Sequence, residues 1–332
     1  MVWGEMFGRR LVMFRFGWMD LWLGALVLWG GLGAGAAWAE FSLRVAGEQV
    51  TVVEDGKPVF VLHGDMVAAP AGVPANFRRT AYLHPLYGLD GEVLTEDFPF
   101  DHRHHRGVFW AWPQGMAGKR AMDVWTLKDA RQVFDAWVAR EVRDGVAHVV
   151  MRNMWVFDDA PQEPVLRETV SIAVHPATAV GRALDFTIEL NNVSGQDFSL
   201  LGAKDKGYGG FCVRPPAARK PMTFTTATGV LTEDALRAAT PWADVSFAVA
   251  PGDSAKSGVA IFQHPGNPDY PHDGWLMRHY SFLGAAWPHE TPHVIAHGAT
   301  LTLRYRLYLH RGDAAAGQVA EAFAAYGAEV GR

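Results

Sequence analysis

Apolar and polar residues alternate with period two through much of the chain. Phe41, Leu43 and Val45 alternate with Ser42, Arg44 and Ala46, the pattern of a half-buried strand. Near the C-terminus Leu301, Leu303, Tyr305, Leu307 and Leu309 hold one phase, and Thr302, Arg304, Arg306 and Tyr308 hold the other. One buried face and one polar face mark an antiparallel sheet. The same signal predicts strands over 49–53, 59–62, 132–138, 147–157, 166–174, 184–190, 245–250, 259–263 and 301–309. Gly47-Glu48 and Asp55-Gly56 supply turns between the first of them. Helical periodicity is scarce. Asp313 caps an expected short helix over 314–326 that Gly327 ends, and a second is expected over 232–239.

Many strands, few helices and no repeat or linker predict one all-β domain over residues 40–332. Its length exceeds that of an immunoglobulin-type sandwich more than twofold, so the expected form is a large, curved, antiparallel two-sheet β-sandwich with few short helices. A concave sheet face would give a ligand its natural place. The formal charge of -5 is spread without a basic block, which argues against nucleic acid as a partner. Cys212 is the single cysteine, so no intramolecular disulfide forms. Flanked by Phe211 and Val213, it reads as a buried, inert thiol. At the N-terminus Arg9, Arg10 and Arg15 precede an apolar run over 21–32, and Ala37-Trp38-Ala39 forms a small-residue cleavage pattern. This predicts a secretory signal peptide over 1–39 and a secreted or periplasmic mature protein. Asp20 keeps the apolar run below the roughly 20 residues of a spanning helix, so no membrane association is expected after cleavage.

Chemistry concentrates in one stretch. Asp101, His102, Arg103, His104, His105 and Arg106 are consecutive, and Gly107, Phe109, Trp110 and Trp112 follow. In an extended conformation His102, His104 and Arg106 would share one face. Three readings stay open. His102 and His104 could begin a site for zinc, copper or iron, with a third ligand from His63, Glu168, His264, His272 or His279. Alternatively, the imidazoles and Arg106 would serve a sugar or carboxylate, with Trp110 and Trp112 as flat apolar faces. The third reading is a structural knot of histidines bonded to backbone carbonyls and Arg106 to Asp101.

Other segments add candidates. Glu168 shares its phase with Leu166, Val170, Ile172 and Val174, so it is either an inward carboxylate whose pKa lost hydration would raise or a strand-end group that reaches water or an arginine on a neighbouring strand. The run from Lys204 to Arg214 combines Gly207, Gly209 and Gly210 with the donors Lys204, Lys206 and Tyr208. A proline-rich loop over 263–280 carries His264, Asn267, Asp269, His272, Asp273, Trp275, Arg278 and His279, the makings of a binding rim. A G-x-S-x-G elbow, an HExxH pair and a dinucleotide fingerprint are all missing from the sequence.

The run Tyr82-Leu83-His84-Pro85-Leu86-Tyr87-Gly88, followed by Asp90-Gly91, Leu94-Thr95, Asp97-Phe98-Pro99 and Asp101-His102-x-His104-His105-Arg106-Gly107, resembles a bacterial family of unknown function labelled PmoA-like, or "methane oxygenase". Gly207 to Arg214 and His264-Pro265-x-Asn267-Pro268 look similar too. Leu89, Glu96 and Arg103 stand where that family commonly has proline, arginine and proline. The resemblance implies a sandwich similar to galactose mutarotase, with a carbohydrate-facing concave site. On it rests the expectation of a saccharide or sugar-acid ligand and of isomerisation, epimerisation or elimination by acid–base chemistry. His102 or His104 would shuttle the proton with Glu168 as partner base. Arg106 would fix a ligand oxygen, Trp110, Trp112 or Trp275 would stack on a ring, and His105, Lys204, Tyr208, His264 and Asn267 would complete the binding set. No cofactor is needed on this reading. The alternatives are a metal-dependent enzyme, using a divalent metal at His102 and His104, and a non-catalytic glycan-binding module.

Overall fold

The alternating segments pair as their hydrophobic phase requires. The structure is a computed structural model describing residues 39–331. Among the described residues, antiparallel strands form two nine-stranded sheets and one four-stranded sheet. The first sheet runs, in spatial order, Phe41–Ala46, Gln49–Glu54, Lys57–His63, Tyr82–Leu86, Val108–Ala111, Gly210–Val213, Phe282–Ala285, Gly274–Arg278 and Ala235–Arg237. The second runs Gly229–Leu231, Thr223–Thr226, Trp242–Ala248, Lys256–Gln263, Thr300–Arg311, Gly181–Asn192, Leu166–Val174, Val146–Phe157 and Ala130–Arg143. His293–Ile295, Phe198–Leu201, Gln114–Ala117 and Arg120–Met122 make the small sheet. The fold is an all-β sandwich with one α-helix among the described residues.

Register decides which side chains meet in the core. Phe211 packs 4.9 Å, centroid to centroid, from both Phe186 and Tyr305 of the second sheet. Phe211 pairs with Trp110 and Ala285, and Ala285 pairs with Trp275. Residues directly opposite one another share a face, so Trp110 and Trp275 also point into the sandwich. Phe109, Cys212, Gly284 and Leu276 occupy the other phase and face outward. That outer face carries the candidate site.

Two helix expectations change. The C-terminal helix is Val319–Val330, not 314–326. Asp313 accepts a hydrogen bond from the Ala316 amide within a preceding turn, and Gln318, left-handed at φ 53°, separates that turn from the helix. Gly327 lies inside the helix and accepts the Gly331 amide. The segment 232–239 is not helical, because Ala235–Arg237 pairs with the edge of the first sheet. The described residues belong to one compact unit, and no helix among them is long and apolar enough to cross a membrane. Residues 1–38 of the expected signal peptide lie outside the described residues.

A buried ion pair ties the N-terminal hairpin to the second sheet. Arg182 donates to Glu54, whose other oxygen accepts the Ala177 amide at 2.8 Å, and both side chains are more than nine-tenths buried. Removing one partner strands a buried charge. Arg182→Ala is therefore expected to cost about 3–5 kcal/mol in urea unfolding. A loss below about 1 kcal/mol, the value of a solvated surface pair, would contradict this.

Candidate functional site

The chemistry-rich stretch folds as a clasped loop rather than a strand. Asp97 and Arg106 form a backbone bridge at its neck, and their side chains form an ion pair. Arg106 also donates to the Tyr82 hydroxyl at 2.7 Å and the Phe77 carbonyl at 3.1 Å, and its guanidinium lies 3.4 Å from the Phe98 ring centroid. Gly107 follows, where a Cβ would collide with the Leu83 carbonyl. With the neck closed, the residues between must turn back, and the His105 amide donates to the His102 carbonyl at 2.9 Å. The expected alternation of His102, His104 and Arg106 on one strand face is thus replaced. Three imidazoles point to one cavity, and Arg106 is fully buried as the clasp, not a ligand contact.

The cavity, of about 160 Å3, lies over the outer face of the first sheet. His102, His104, His105, Trp125, Tyr208 and Tyr280 supply its rings, and Lys206 and Arg278 add cationic groups. His102 is stacked between His105 (4.6 Å, 2°) and Tyr280 (5.0 Å, 10°), while His104 meets His105 edge-on at 4.6 Å. Beneath them His105 packs on Phe282 at 4.5 Å and on Trp125 at 5.6 Å. Trp125 is presented by a turn in which Asp123 Oδ1 accepts the Trp125 and Thr126 amides at 2.9 and 2.8 Å. Arg214, fully buried, donates to Asp101 at 2.7 Å, stands 3.8 Å from Glu96, and lies 3.4 Å from His105 Nδ1. Asp101 Oδ2 in turn lies 3.0 Å from His102 Nδ1, off the ideal hydrogen-bond line.

Burial and nearby cations set the protonation states. Burial, then Arg79, His102 and Arg214, push the His104 pKa down to about 3. Burial, then His104, His102, Arg214 and Arg79, lower that of His105 well below the usual value. Both rings are therefore neutral at pH 7 and offer one donor and one acceptor each. Burial works against the Asp101 carboxylate, but Arg214 and His102 outweigh it and hold its pKa below the usual range. Burial raises the Tyr280 phenol to about 12, and it raises Tyr208, helped by Asp123. Burial likewise puts the Cys212 thiol well above its normal pKa, so it is no nucleophile.

Several expected site residues lie elsewhere. Trp110 and Trp275 are buried on the inner face, and the Trp112 indole donates to the Trp287 carbonyl at 2.7 Å, so none can stack on a ligand in the cavity. Glu168 is fully buried between the large sheets, where Asn153, Trp155 and Gln132 donate to it at 2.7, 2.8 and 3.1 Å. Burial raises its pKa and those bonds oppose the rise, yet it is not a partner base for the histidines. The Trp110 indole N–H comes near it without a well-aligned bond. Asn267 bonds the Arg304 backbone in both directions at 2.7 Å, and His264 accepts the Gly266 amide at 2.8 Å on the second-sheet side. Lys204 is exposed in the turn before Lys206, and Lys206, not Lys204, lines the cavity. His102, His104, His105 and Tyr208 are the expected residues brought together. Trp125, Thr126, Leu276 and Tyr280 are additional lining residues. The aspartate two positions before Trp125 was their one local signal, since Asp-x-x-Thr favours an Asx turn.

The donor set does not suit a metal. Among the described residues no three His, Cys, Asp or Glu side chains gather to hold one. The proposed third ligands are engaged or distant: His63 bonds the His84 carbonyl at 2.7 Å, and His279 contacts Asp234 at 2.9 Å. A larger cavity of about 650 Å3 lies under the C-terminal helix. Most of its charges are mutually paired, Arg306 with Asp185 and Glu329, and His175 with Asp185. The histidine cavity is smaller but richer in unspent hydrogen-bonding capacity.

Neutral buried histidines make folding acid-sensitive. His104 binds a proton near pH 6.5 when unfolded but only near pH 3 when folded, so the unfolded chain holds more protons between those values. Its contribution is present above pH 6.5 and is lost as pH falls through that window. Urea unfolding at pH 7 and pH 5 should show this loss, and His104→Gln should reduce it. An identical pH slope in the variant would mean that His104 titrates freely in the folded protein.

No curated protein matches the chain. A family of unknown function, DUF6807, matches residues 49–324, a span that includes the clasped loop, the histidine cavity and all of both large sheets except the strand Phe41–Ala46. By that match over most of its length, the chain is a member of the DUF6807 family.

Proposed function

We propose that the histidine cavity binds a saccharide or sugar acid and acts on it by general acid–base chemistry, as an isomerase, epimerase or lyase. The observation that carries this is the convergence of three imidazoles on one cavity, with a carboxylate at Nδ1 of one of them. Asp101 favours a proton on His102 Nδ1, which leaves Nε2 as the proton acceptor. His104, neutral, donates to an oxygen on which charge develops, as a neutral imidazole can in an enolising site. Lys206 favours a carboxylate at the opening, beside Arg278 in its pair with Asp234, and a carboxylate acidifies the adjacent C–H that an epimerase or lyase must deprotonate. The size of the cavity supports one ring rather than a drug-sized ligand, which usually takes about 300–1,000 Å3. Tyr208 and Tyr280 supply hydroxyls and apolar ring faces together.

An exported protein fits this reading, since the basic and apolar N-terminal pattern is that of a signal peptide. The non-catalytic glycan-binding module remains as a second reading. It is favoured by the low pKa of His104 and His105, which keeps two of the three rings as neutral hydrogen-bonding groups at pH 7.

A panel of neutral and uronic saccharides, screened for both binding and product, tests the proposal. His104→Ala should abolish turnover or binding while the unfolding midpoint at pH 7 stays within a few degrees of the parent. His102→Gln should lower kcat by about 10²–10⁴-fold with little change in KM, the range expected for loss of a positioned base. Binding without product, weakened by both substitutions, would select the binding module. Unaltered binding and turnover in both variants would overturn the assignment.

A further inference from the structure

A second cavity opens on the same sheet face, about 340 Å3 in volume, around Gly274, Trp287, His272 and His289. Gly274, Leu276 and Arg278 lie in one phase of a single strand; Gly274 borders this cavity, and Leu276 and Arg278 border the histidine cavity. Four residues of strand separate the ends, a distance of about 13 Å at ~3.3 Å per residue. The partition between the cavities is the His289 ring pressed against Gly207, whose neighbours Lys206 and Tyr208 line the first.

The second cavity is built to bind. His272 is more than nine-tenths buried, lines it, and has neither ring nitrogen hydrogen-bonded among the described residues. The Gly274 backbone lies near that ring without reaching bond geometry. His289 Nδ1 accepts from Arg237 at 2.8 Å, which leaves the proton on Nε2, a nitrogen without a hydrogen-bond partner that lies against Gly207 in the partition, so His272 is the group open to a ligand. Unpaired polar groups of this kind are costly to bury unless something meets them. What meets them is constrained by charge. Arg237 is committed to Asp273 at 2.8 Å and to Glu290 at 3.4 Å, so it does not offer an anion a free cation. The described side chains include no metal-holding group of three. Burial lowers the pKa of both histidines, that of His272 to about 4, so both are neutral, and His272 alone presents both a donor and an acceptor. Neutral imidazoles beside an indole suit hydroxyl groups on a ring.

We infer that this cavity is a second subsite and that the ligand is an oligosaccharide lying along the strand Gly274–Arg278, with an acidic or reacting ring at the histidine cavity and a neutral, hydroxylated ring at His272 and His289. The inference rests on the saccharide reading of the first cavity and adds chain length to it.

Calorimetric titration with galacturonic acid and its dimer, trimer and tetramer, and with the matching glucose and xylose series, tests both readings separately. Affinity should rise about tenfold, the worth of one or two net hydrogen bonds, at the length that reaches the second cavity. His272→Phe should remove that rise and leave monosaccharide affinity unchanged. It breaks no hydrogen bond in the free protein, so its unfolding midpoint should not fall. Thr291→Trp, at an exposed position on the rim, should remove the rise by obstruction even if His272→Phe folds poorly. Monosaccharide binding with no dependence on length, or a rise that survives both substitutions, would overturn the second subsite and spare the first. No binding of any member of the three series would overturn both.

Discussion

A buried guanidinium has to be met by acceptors, and Arg214, which takes carboxylates for that purpose, imposes the requirement on everything around the site. It is wholly buried at the end of the strand Gly210–Val213. Its amide donates to the Gly107 carbonyl and its carbonyl accepts the Glu96 amide, both at 2.8 Å, so its backbone spans the two sides of the loop neck. Its side chain reaches into the loop for Asp101. Burying such a charge unpaired would cost several kcal/mol, more than most local conformational preferences. The loop is therefore fixed twice, at the neck by Arg106 and Asp97 and near its tip by Arg214 and Asp101. A segment without regular secondary structure thereby holds three imidazoles in defined positions, as an acid–base site requires.

The same cations govern the chemistry. Arg79 lies under Phe109 and donates to the Val124 carbonyl, and burial, then Arg106, lowers its pKa to about 9. Together with Arg214 it makes the floor of the cavity electropositive, which disfavours a proton on His104 and His105. Asp101 makes its close contact with His102, and its weaker pull on His104 is outweighed by burial and the cations. One cluster of identical side chains is thereby divided into two neutral hydrogen-bonding groups and one with a carboxylate at its back. Pairs of groups whose surroundings pull them apart in this way are the usual source of distinct acid and base roles.

Much of the second sheet could be read directly from alternation, because its strands bury one face and solvate the other. Leu166–Val174 has the predicted limits, and the inward phase of Glu168 is where the structure places it. The strand Phe282–Ala285 escaped, being short and buried on both faces, which erases the period-two signal. The direction of the tryptophans was also hidden. Whether Trp110 faces the ligand or the core is decided by its pairing with Phe211, a contact no local pattern encodes. The motif itself was visible but its conformation was not. Asp101 finds Arg214 at a separation of 113 residues, and that contact, with the Asp97–Arg106 clasp, distinguishes a clasped loop from an extended strand.

The glycine run between the cavities shows how a correct residue-level reading can acquire a different meaning. Gly207 and Gly210 do permit close approach, but what approaches is protein. A Cβ on Gly207 would enter the His289 ring, and one on Gly210 would strike the Ala285 carbonyl. Both residues also have positive φ, 66° and 128°, which side-chain-bearing residues avoid. The segment is thus pressed flat against the end of the first sheet, with the Gly207 amide returning to the Ala203 carbonyl at 2.7 Å. Because the backbone is held down, Lys206 and Tyr208 on either side of Gly207 reach over the histidine cavity, while His289 turns toward the second. A bulkier residue at 207 would push His289 away from Arg237 and disturb both cavities at once. On the oligosaccharide reading the glycines would act indirectly, by setting the thickness of the wall that two rings of one chain straddle.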